Sequence, residues 1–84
     1  MWFVYIIKCK DGSLYTGYTN DLETRLEKHK AGKGAKYTRS HVPEKIVFSE
    51  RHYKKTVALA REREIKDWTR VEKIKFIESH NKSG

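Results

Sequence analysis

The N-terminal segment Trp2–Cys9 constrains the fold more than any other part of the chain. It is rich in β-branched and aromatic residues, which is typical of a strand. Both of its alternating faces are apolar until Lys8, so we expect it to lie centrally in a sheet or to be covered on both sides. A chain of 84 residues can build one modest core around such a strand and is too short for two.

The turn after this strand decides how a second strand, Ser13–Tyr18, pairs with it. An aspartate followed by Gly12 is a typical hairpin signal, but it fits two loop lengths. A two-residue loop would put Tyr5 and Tyr15 on opposite faces of the sheet. A three-residue loop with Gly12 left-handed would put both tyrosines on one face, with Tyr5 opposite Gly17. The residues alone favour neither register.

The remainder of the chain predicts three helices and one strand. Asn20 with Glu23, and Thr69 with Glu72, form capping-box patterns that open two of the helices. The predicted order is ββαβαα, an α/β (α+β) arrangement in one domain over residues 1–79, with a flexible tail over residues 80–84. After the hairpin we expect a helix from Asn20 to a stop at Gly32, an exposed basic loop over Gly32–His41, a short strand at Ile46–Phe48, a helix over about Thr56–Trp68 and a short last helix opened by Thr69.

The net charge of the chain limits its partners. Lys and Arg number 19 against 11 Asp and Glu, a formal charge of +8, and the aromatic content is too high for a disordered basic tail. A folded basic domain suits a polyanion, nucleic acid first, although such an excess can also serve solubility alone. The longest apolar run, Trp2–Ile7, is too short to cross a bilayer and no signal peptide is evident, so we expect a cytoplasmic protein without a membrane partner. The single cysteine, Cys9, excludes a disulfide framework or a Cys-rich zinc module.

Arg25 and His29 are the first pair of side chains that suggests chemistry. They lie four residues apart, hence on one helix face, at the edge of the apolar stripe formed by Leu22 and Leu26. At that edge an arginine can hold a phosphate in a bidentate clamp, and an imidazole can orient a group or move a proton. The alternative is an arginine at the rim of the core beside a solvated histidine.

Glu62 is a charged residue on the apolar face of its predicted helix. Projection of the second helix at about 100° per residue puts Glu62 inside the apolar arc and Glu64 outside it. A carboxylate among apolar neighbours is costly unless a cation or a hydrogen-bond donor meets it. A lone carboxylate, with water and a substrate phosphate as the other ligands, is a usual way to hold Mg²⁺. The alternative is an ion pair with Arg61, Lys66 or Arg25.

Tyrosines are frequent on the first two strands. Strand tyrosines usually stack in a core with the hydroxyl group at its margin. The hydroxyl of Tyr5 or Tyr15, beside a metal-bound or lysine-bordered phosphate, could also act as a base or orient the attacking water. Because a free phenol has a pKa of about 10 and is protonated at neutral pH, that role needs help, for which Lys8 and Lys10 are candidates.

Taken together, these residues resemble the GIY-YIG nuclease superfamily. Phe3-Val4-Tyr5 stands where the family has Gly-Ile-Tyr, and Tyr15-Thr16-Gly17 stands where it has Tyr-Ile-Gly. Arg25, His29 and Glu62 follow in the family's order. The chain is most similar to the small stand-alone, UPF0213-like members, through the stretches 14–19, 32–38 and 62–68, and the likeness runs from about residue 2 to residue 78.

The resemblance implies a three-stranded antiparallel sheet flanked by helices, and cleavage of phosphodiester bonds with one divalent ion, Mg²⁺ or Mn²⁺. Because the family site needs both tyrosines close together, it favours the three-residue turn. By position, it implies a base or water-positioning role for Tyr5, phosphate contact for Tyr15, transition-state stabilisation for Arg25, tuning of Tyr5 or of the phosphate for His29, metal binding for Glu62 and a structural role for Gly17.

The chain also departs from the family pattern. Phe3 replaces the first motif glycine, and because the likeness covers most of these residues we expect no separate DNA-recognition domain. We therefore expect weak binding or a protein partner that supplies specificity.

The function that the sequence favours is a metal-dependent endonuclease acting on DNA more than on RNA, in repair or recombination. The alternative is a non-catalytic or weakly catalytic nucleic-acid-binding module within a complex, although a negative charge at Glu62 beside a phosphate site favours catalysis. A protein-interaction domain, the third class, would show no salt-dependent DNA binding. We expect affinity to fall with salt because phosphate contacts would come from Lys8, Lys33, Lys36, Arg39, Lys66 and Lys73.

Overall fold

The computed structural model describes residues 1–82 and has the predicted α+β order, with one short extra helix. The three strands form one antiparallel sheet in the order β2-β1-β3. No helix in the part of the chain that the structure describes is long and apolar enough to cross a membrane. The elements are β1 (Trp2–Cys9), β2 (Leu14–Thr19), α1 (Leu22–Lys30), α2 (Lys36–Ser40), β3 (Pro43–His52), α3 (Lys55–Lys66) and α4 (Arg70–Lys82).

Strand β1 lies at the centre of the sheet and is covered on both faces, which confirms the prediction made from its sequence. On one face Val4 and Ile6 pack with residues of β3, α3 and α4. On the other face Tyr5 and Ile7 pack against α1, β2 and β3. These side chains are almost fully buried, and each is worth about 1.5–3 kcal/mol relative to exposure. Two small cores therefore share one strand.

The hairpin between β1 and β2 has the three-residue loop. The Cys9 N–H donates to the Ser13 carbonyl at 2.9 Å, and the Gly12 N–H donates to the Cys9 carbonyl at 2.9 Å. Gly12 has φ +86°, a left-handed conformation that glycine adopts without a steric penalty. The resulting register sets Tyr5 opposite Gly17, so the register that the resemblance favoured is confirmed.

The segment Gly32–His41 is not the exposed loop that we predicted. It contains α2, and Thr38 is only 3% exposed. The physical reason is that the Thr38 hydroxyl group makes buried hydrogen bonds, so the chain closes over α1 instead of extending into solvent. Strand β3 is also longer than predicted, because it pairs with β1 from Pro43 to His52.

Helix boundaries also differ from the predictions. Asp21, not Asn20, caps α1, and its carboxylate accepts from the Thr24 N–H at 3.2 Å. The predicted capping box of Thr69 and Glu72 opens α4. That helix continues through residues 80–82, which were predicted as tail, because the His80 ring packs on Phe48 and Phe76. Residues 83 and 84 lie outside the described part of the chain.

Candidate active site

Gly17 is the position that lets Tyr5 reach the edge of the sheet. The two residues lie opposite each other on β2 and β1. A Cβ atom at Gly17 would lie 2.5 Å from Tyr5 Oη and 2.7 Å from its Cζ, well inside normal contact. The Tyr5 ring therefore lies across the bare backbone of Gly17, and any larger residue there would displace it. The structural role expected for Gly17 has this geometric basis.

A buried hydrogen-bonded chain runs from Tyr5 through His29 to Thr38. Tyr5 Oη lies 2.9 Å from His29 Nε2, and His29 Nδ1 lies 2.7 Å from Thr38 Oγ1. The Thr38 hydroxyl group has one proton, which it donates to the Ala35 carbonyl oxygen at 3.1 Å, because a carbonyl oxygen can only accept a hydrogen bond. Nδ1 of His29 must then carry the ring proton and donate it to Thr38. Nε2 is left as the acceptor for the Tyr5 hydroxyl proton.

Gly34 closes over the other side of His29. A Cβ atom at Gly34 would overlap the His29 ring at Nδ1, so only glycine fits there. Gly34 and Thr38 lie in the stretch 32–38 of the family likeness, but the sequence predicted a site role for neither of them. No local pattern marks either residue, because each acts on a histidine in a different element.

A cavity of about 370 Å³ beside the edge strand β2 gathers four of the predicted residues. Tyr5, Tyr15, Arg25 and Glu62 line it, from β1, β2, α1 and α3. His29 is 1% exposed, contacts Tyr5 Oη and does not line the cavity. Lining residues that the sequence did not suggest are Trp2, Tyr18, Thr19, Asn20 and Lys55.

The surroundings of Tyr5, Tyr15 and His29 favour the uncharged form of each ring. Burial raises the pKa of the Tyr5 phenol well above its ordinary value, Tyr15 raises it further, and Arg25 opposes the shift while Glu62 adds to it. The pKa of Tyr15 is raised by burial and then by Glu62, against Arg25. Burial, followed by the Arg25 charge, lowers the pKa of His29. At neutral pH the pair is thus a phenol that donates its proton to a neutral imidazole.

Glu62 is buried, at 8% exposed, as its helix projection predicted. Of the three ion pairs considered for it, the one with Lys66 is present, at 3.6 Å between Nζ and Oε2. Arg61 instead contacts Glu50 and Glu64. The Lys66 side chain is about half exposed, so this pair holds the carboxylate weakly.

The donors around Glu62 fit a cation held partly by water and substrate. Among residues 1–82, no three His, Cys, Asp or Glu side chains converge as a metal cluster. The cavity instead offers one carboxylate, with hydroxyl groups and an amide along its walls. This is the donor set of a Mg²⁺ site with a single protein carboxylate, and not of a cation enclosed by protein ligands.

The predicted phosphate-binding side chains are divided between two faces. Lys33, Lys36 and Arg39 are exposed around α2, which is joined to the cavity by the stacking of Tyr37 on Tyr15, at 5.8 Å between ring centroids. Lys66 lies beside Glu62. Lys8 does not join them, nor does it help Tyr5: it pairs with Glu44 at 3.9 Å and lines an apolar hollow near α4. Lys10 is exposed beyond the end of β1, and Lys73 is half-buried.

Comparisons with known proteins agree with this arrangement. Residues 1–75 match the family model of the GIY-YIG catalytic domain. A UPF0213 protein of Staphylococcus epidermidis is 54% identical over 76 residues, covering 90% of this chain and 93% of its own. One from Staphylococcus aureus is 53% identical over 75 residues, covering 89% and 92%. The solution NMR structure of a UPF0213 protein from Bacillus halodurans matches with a TM-score of 0.59 and 44% identity, over 93% of this chain and 84% of that one.

Proposed function

The chain belongs to the GIY-YIG nuclease superfamily, and on this premise we propose that it is a metal-dependent endonuclease that hydrolyses phosphodiester bonds in DNA during repair or recombination. One observation carries the proposal. Tyr5, Tyr15, Arg25 and Glu62, which are far apart in sequence, line a single cavity, and a buried histidine stands behind the first of them. A base, a cation and a metal-binding carboxylate around one space are what phosphodiester hydrolysis requires.

Tyr5 and His29 together accept the proton of the attacking water. The phenol alone is a poor base, since burial raises its pKa. Its proton, however, already points at His29 Nε2, 2.9 Å away. As water attacks phosphorus, its proton passes to Tyr5 Oη while the phenol proton passes to Nε2. The imidazolium that results keeps its Nδ1 hydrogen bond to Thr38, and no phenolate has to form in advance.

Arg25 and Tyr15 bind the phosphate in this proposal. Arg25 is half-buried at the cavity wall, where a guanidinium pairs with phosphate oxygens more strongly than it does in bulk water. Tyr15 keeps its proton, because burial and Glu62 raise its pKa, and so it acts as a hydrogen-bond donor. Both groups favour the negative charge that grows on phosphorus during attack.

Glu62 would hold the divalent ion, Mg²⁺ or Mn²⁺, with the remaining ligands from water and the substrate. When bound, the ion supplies positive charge to the phosphate and to the leaving oxygen. The Lys66 ammonium group pairs with the Glu62 carboxylate, and we infer that Lys66 and the divalent ion compete for that carboxylate.

A cleavage assay tests the proposal. Branched, nicked, single-stranded and duplex DNA, with matching RNA, are incubated with the wild-type protein and Mg²⁺ or Mn²⁺, and then with EDTA. Glu62→Gln and Tyr5→Phe should each lower the rate by at least about 100-fold, since each removes a group used in the chemical step. Glu64→Gln is the matched control, because it removes the same charge from the exposed side of the same helix. Equal rates for Glu62→Gln and Glu64→Gln would contradict the proposed role of the carboxylate.

A second candidate is a nucleic-acid-binding module that cuts poorly or only with a protein partner. The Glu62–Lys66 ion pair favours it, since the pair gives the carboxylate a weak partner that is not a metal. Titration of the folded protein with Mg²⁺, followed by the amide NMR signals of α3, separates the two. Shifts that centre on Glu62 support the endonuclease, and unchanged spectra up to millimolar Mg²⁺ support the module.

A further inference from the structure

The end of the cavity away from His29 carries an aromatic pair that the proposed hydrolysis does not use. Trp2 on β1 and Tyr18 on β2 are half-buried neighbours on the sheet face opposite Tyr5, with ring centroids 6.1 Å apart and an interplanar angle of 41°. Both rings line the same cavity as Arg25 and Glu62. A molecule whose phosphate lies at Arg25 would therefore extend onto these rings.

Two polar side chains complete this end of the cavity. Lys55, the first residue of α3, is exposed and holds its Nζ 5.3 Å from the centre of the Trp2 ring. Asn20, which follows β2, offers an amide that both donates and accepts. Aromatic faces, an exposed cation and an amide are the groups that bind a nucleobase and the phosphate attached to it. Trp2 also packs against the core around Val4 and Ile6, but the exposed parts of both rings give the cavity an aromatic wall that a site for phosphate alone would not need.

We propose that Trp2 and Tyr18 stack on an unpaired nucleobase of a DNA strand, next to the phosphate bound at Arg25 and Glu62. Lys55 would leave the Trp2 ring to contact the neighbouring phosphate, and Asn20 would bond the edge of the base. This rests on the proposed function, and it names the substrate class. Bases inside a duplex are covered by their neighbours, so the protein selects single-stranded, flapped or branched DNA.

The experiment measures binding without cleavage. A Trp68→Phe background leaves Trp2 as the single tryptophan and keeps an aromatic ring in its place. In EDTA, this protein is titrated with three DNAs of equal length: a single strand, the same strand with abasic sites at its centre, and the duplex. We expect the single strand to quench Trp2 fluorescence and to bind about 5- to 140-fold more tightly than the abasic strand, the equivalent of about 1–3 kcal/mol per stacked base.

Variants of Tyr18 give a second reading that keeps the reporter. Tyr18→Leu should abolish most of the preference for bases while leaving the salt dependence of binding unchanged, and Tyr18→Phe should retain the preference. Equal affinity for the intact and abasic strands, or equal quenching by the duplex, would overturn the proposal. Cleavage with Mg²⁺ but no base preference would leave the endonuclease standing and remove the subsite. A base preference with no cleavage would support the subsite and contradict the endonuclease.

Discussion

Replacement of Thr38 by valine tests the hydrogen-bonded chain behind Tyr5. Valine keeps the size and shape of threonine but has no hydroxyl group. In the wild-type protein Thr38 Oγ1 lies 2.7 Å from His29 Nδ1 and 3.1 Å from the Ala35 carbonyl, and the residue is 3% exposed. The substitution therefore leaves a buried N–H and a carbonyl group without their partner.

The size of the effect follows from the ring proton of His29. A buried donor that loses its partner costs about 1–3 kcal/mol, and this energy is what selects the Nδ1–H form of the ring. Without it, the ratio of the Nδ1–H form to the Nε2–H form falls by about 5- to 160-fold, at 1.36 kcal/mol for each factor of ten. Only that form leaves Nε2 free to accept the Tyr5 proton, so kcat should fall, by up to the same factor. KM should change little, because Thr38 does not line the cavity.

Two measurements check this, with Thr38→Ser as the matched control. Nitrogen-15 NMR of the His29 ring reports which nitrogen carries the proton, whether or not the protein cleaves DNA. Single-turnover cleavage reports the rate. Serine keeps the hydroxyl group, so it should keep both the Nδ1–H form and a rate close to that of the wild type. A folded Thr38→Val protein with the wild-type ring signals and the wild-type kcat would refute the assigned chain.

Three further predictions concern the sheet and the buried histidine. Gly17→Ala should lower kcat by about 100-fold, because a Cβ 2.5 Å from Tyr5 Oη must displace that ring by about 1 Å; cleavage kinetics check this, and a wild-type rate would contradict it. Thr16→Val should raise the free energy of unfolding by about 1 kcal/mol in urea denaturation, since Thr16 Oγ1 is buried with no hydrogen-bond partner among residues 1–82; destabilisation would show that the hydroxyl is satisfied. Because burial and then Arg25 lower the pKa of His29, the unfolded chain takes up a proton there before the folded protein does. The free energy of unfolding should therefore fall as the pH drops below about 6.5, and less so in His29→Gln; parallel slopes for the two proteins would contradict this.

Patterns short enough to be read locally predicted much of the fold and part of the site. Two apolar faces on β1 required a central strand, because neither face could remain in water. The helical period put Glu62 among apolar neighbours and Glu64 in solvent, and both lie there. Tyr5 and Arg25 were identified by residue type and by resemblance, and both line the cavity. These features depend on neighbours within one element.

The features that only the tertiary structure decided depend on contacts between segments that are far apart in the sequence. Two hairpin registers had similar local support, and the resemblance favoured the one that the structure shows, with the Tyr5 ring across Gly17. The short helix α2 has little tendency to form by itself, and it forms where Thr38 bonds to His29. The cavity joins Trp2 to α3 across more than fifty residues of sequence. Periodicity carries no information about which surfaces meet, because packing of whole elements sets those distances.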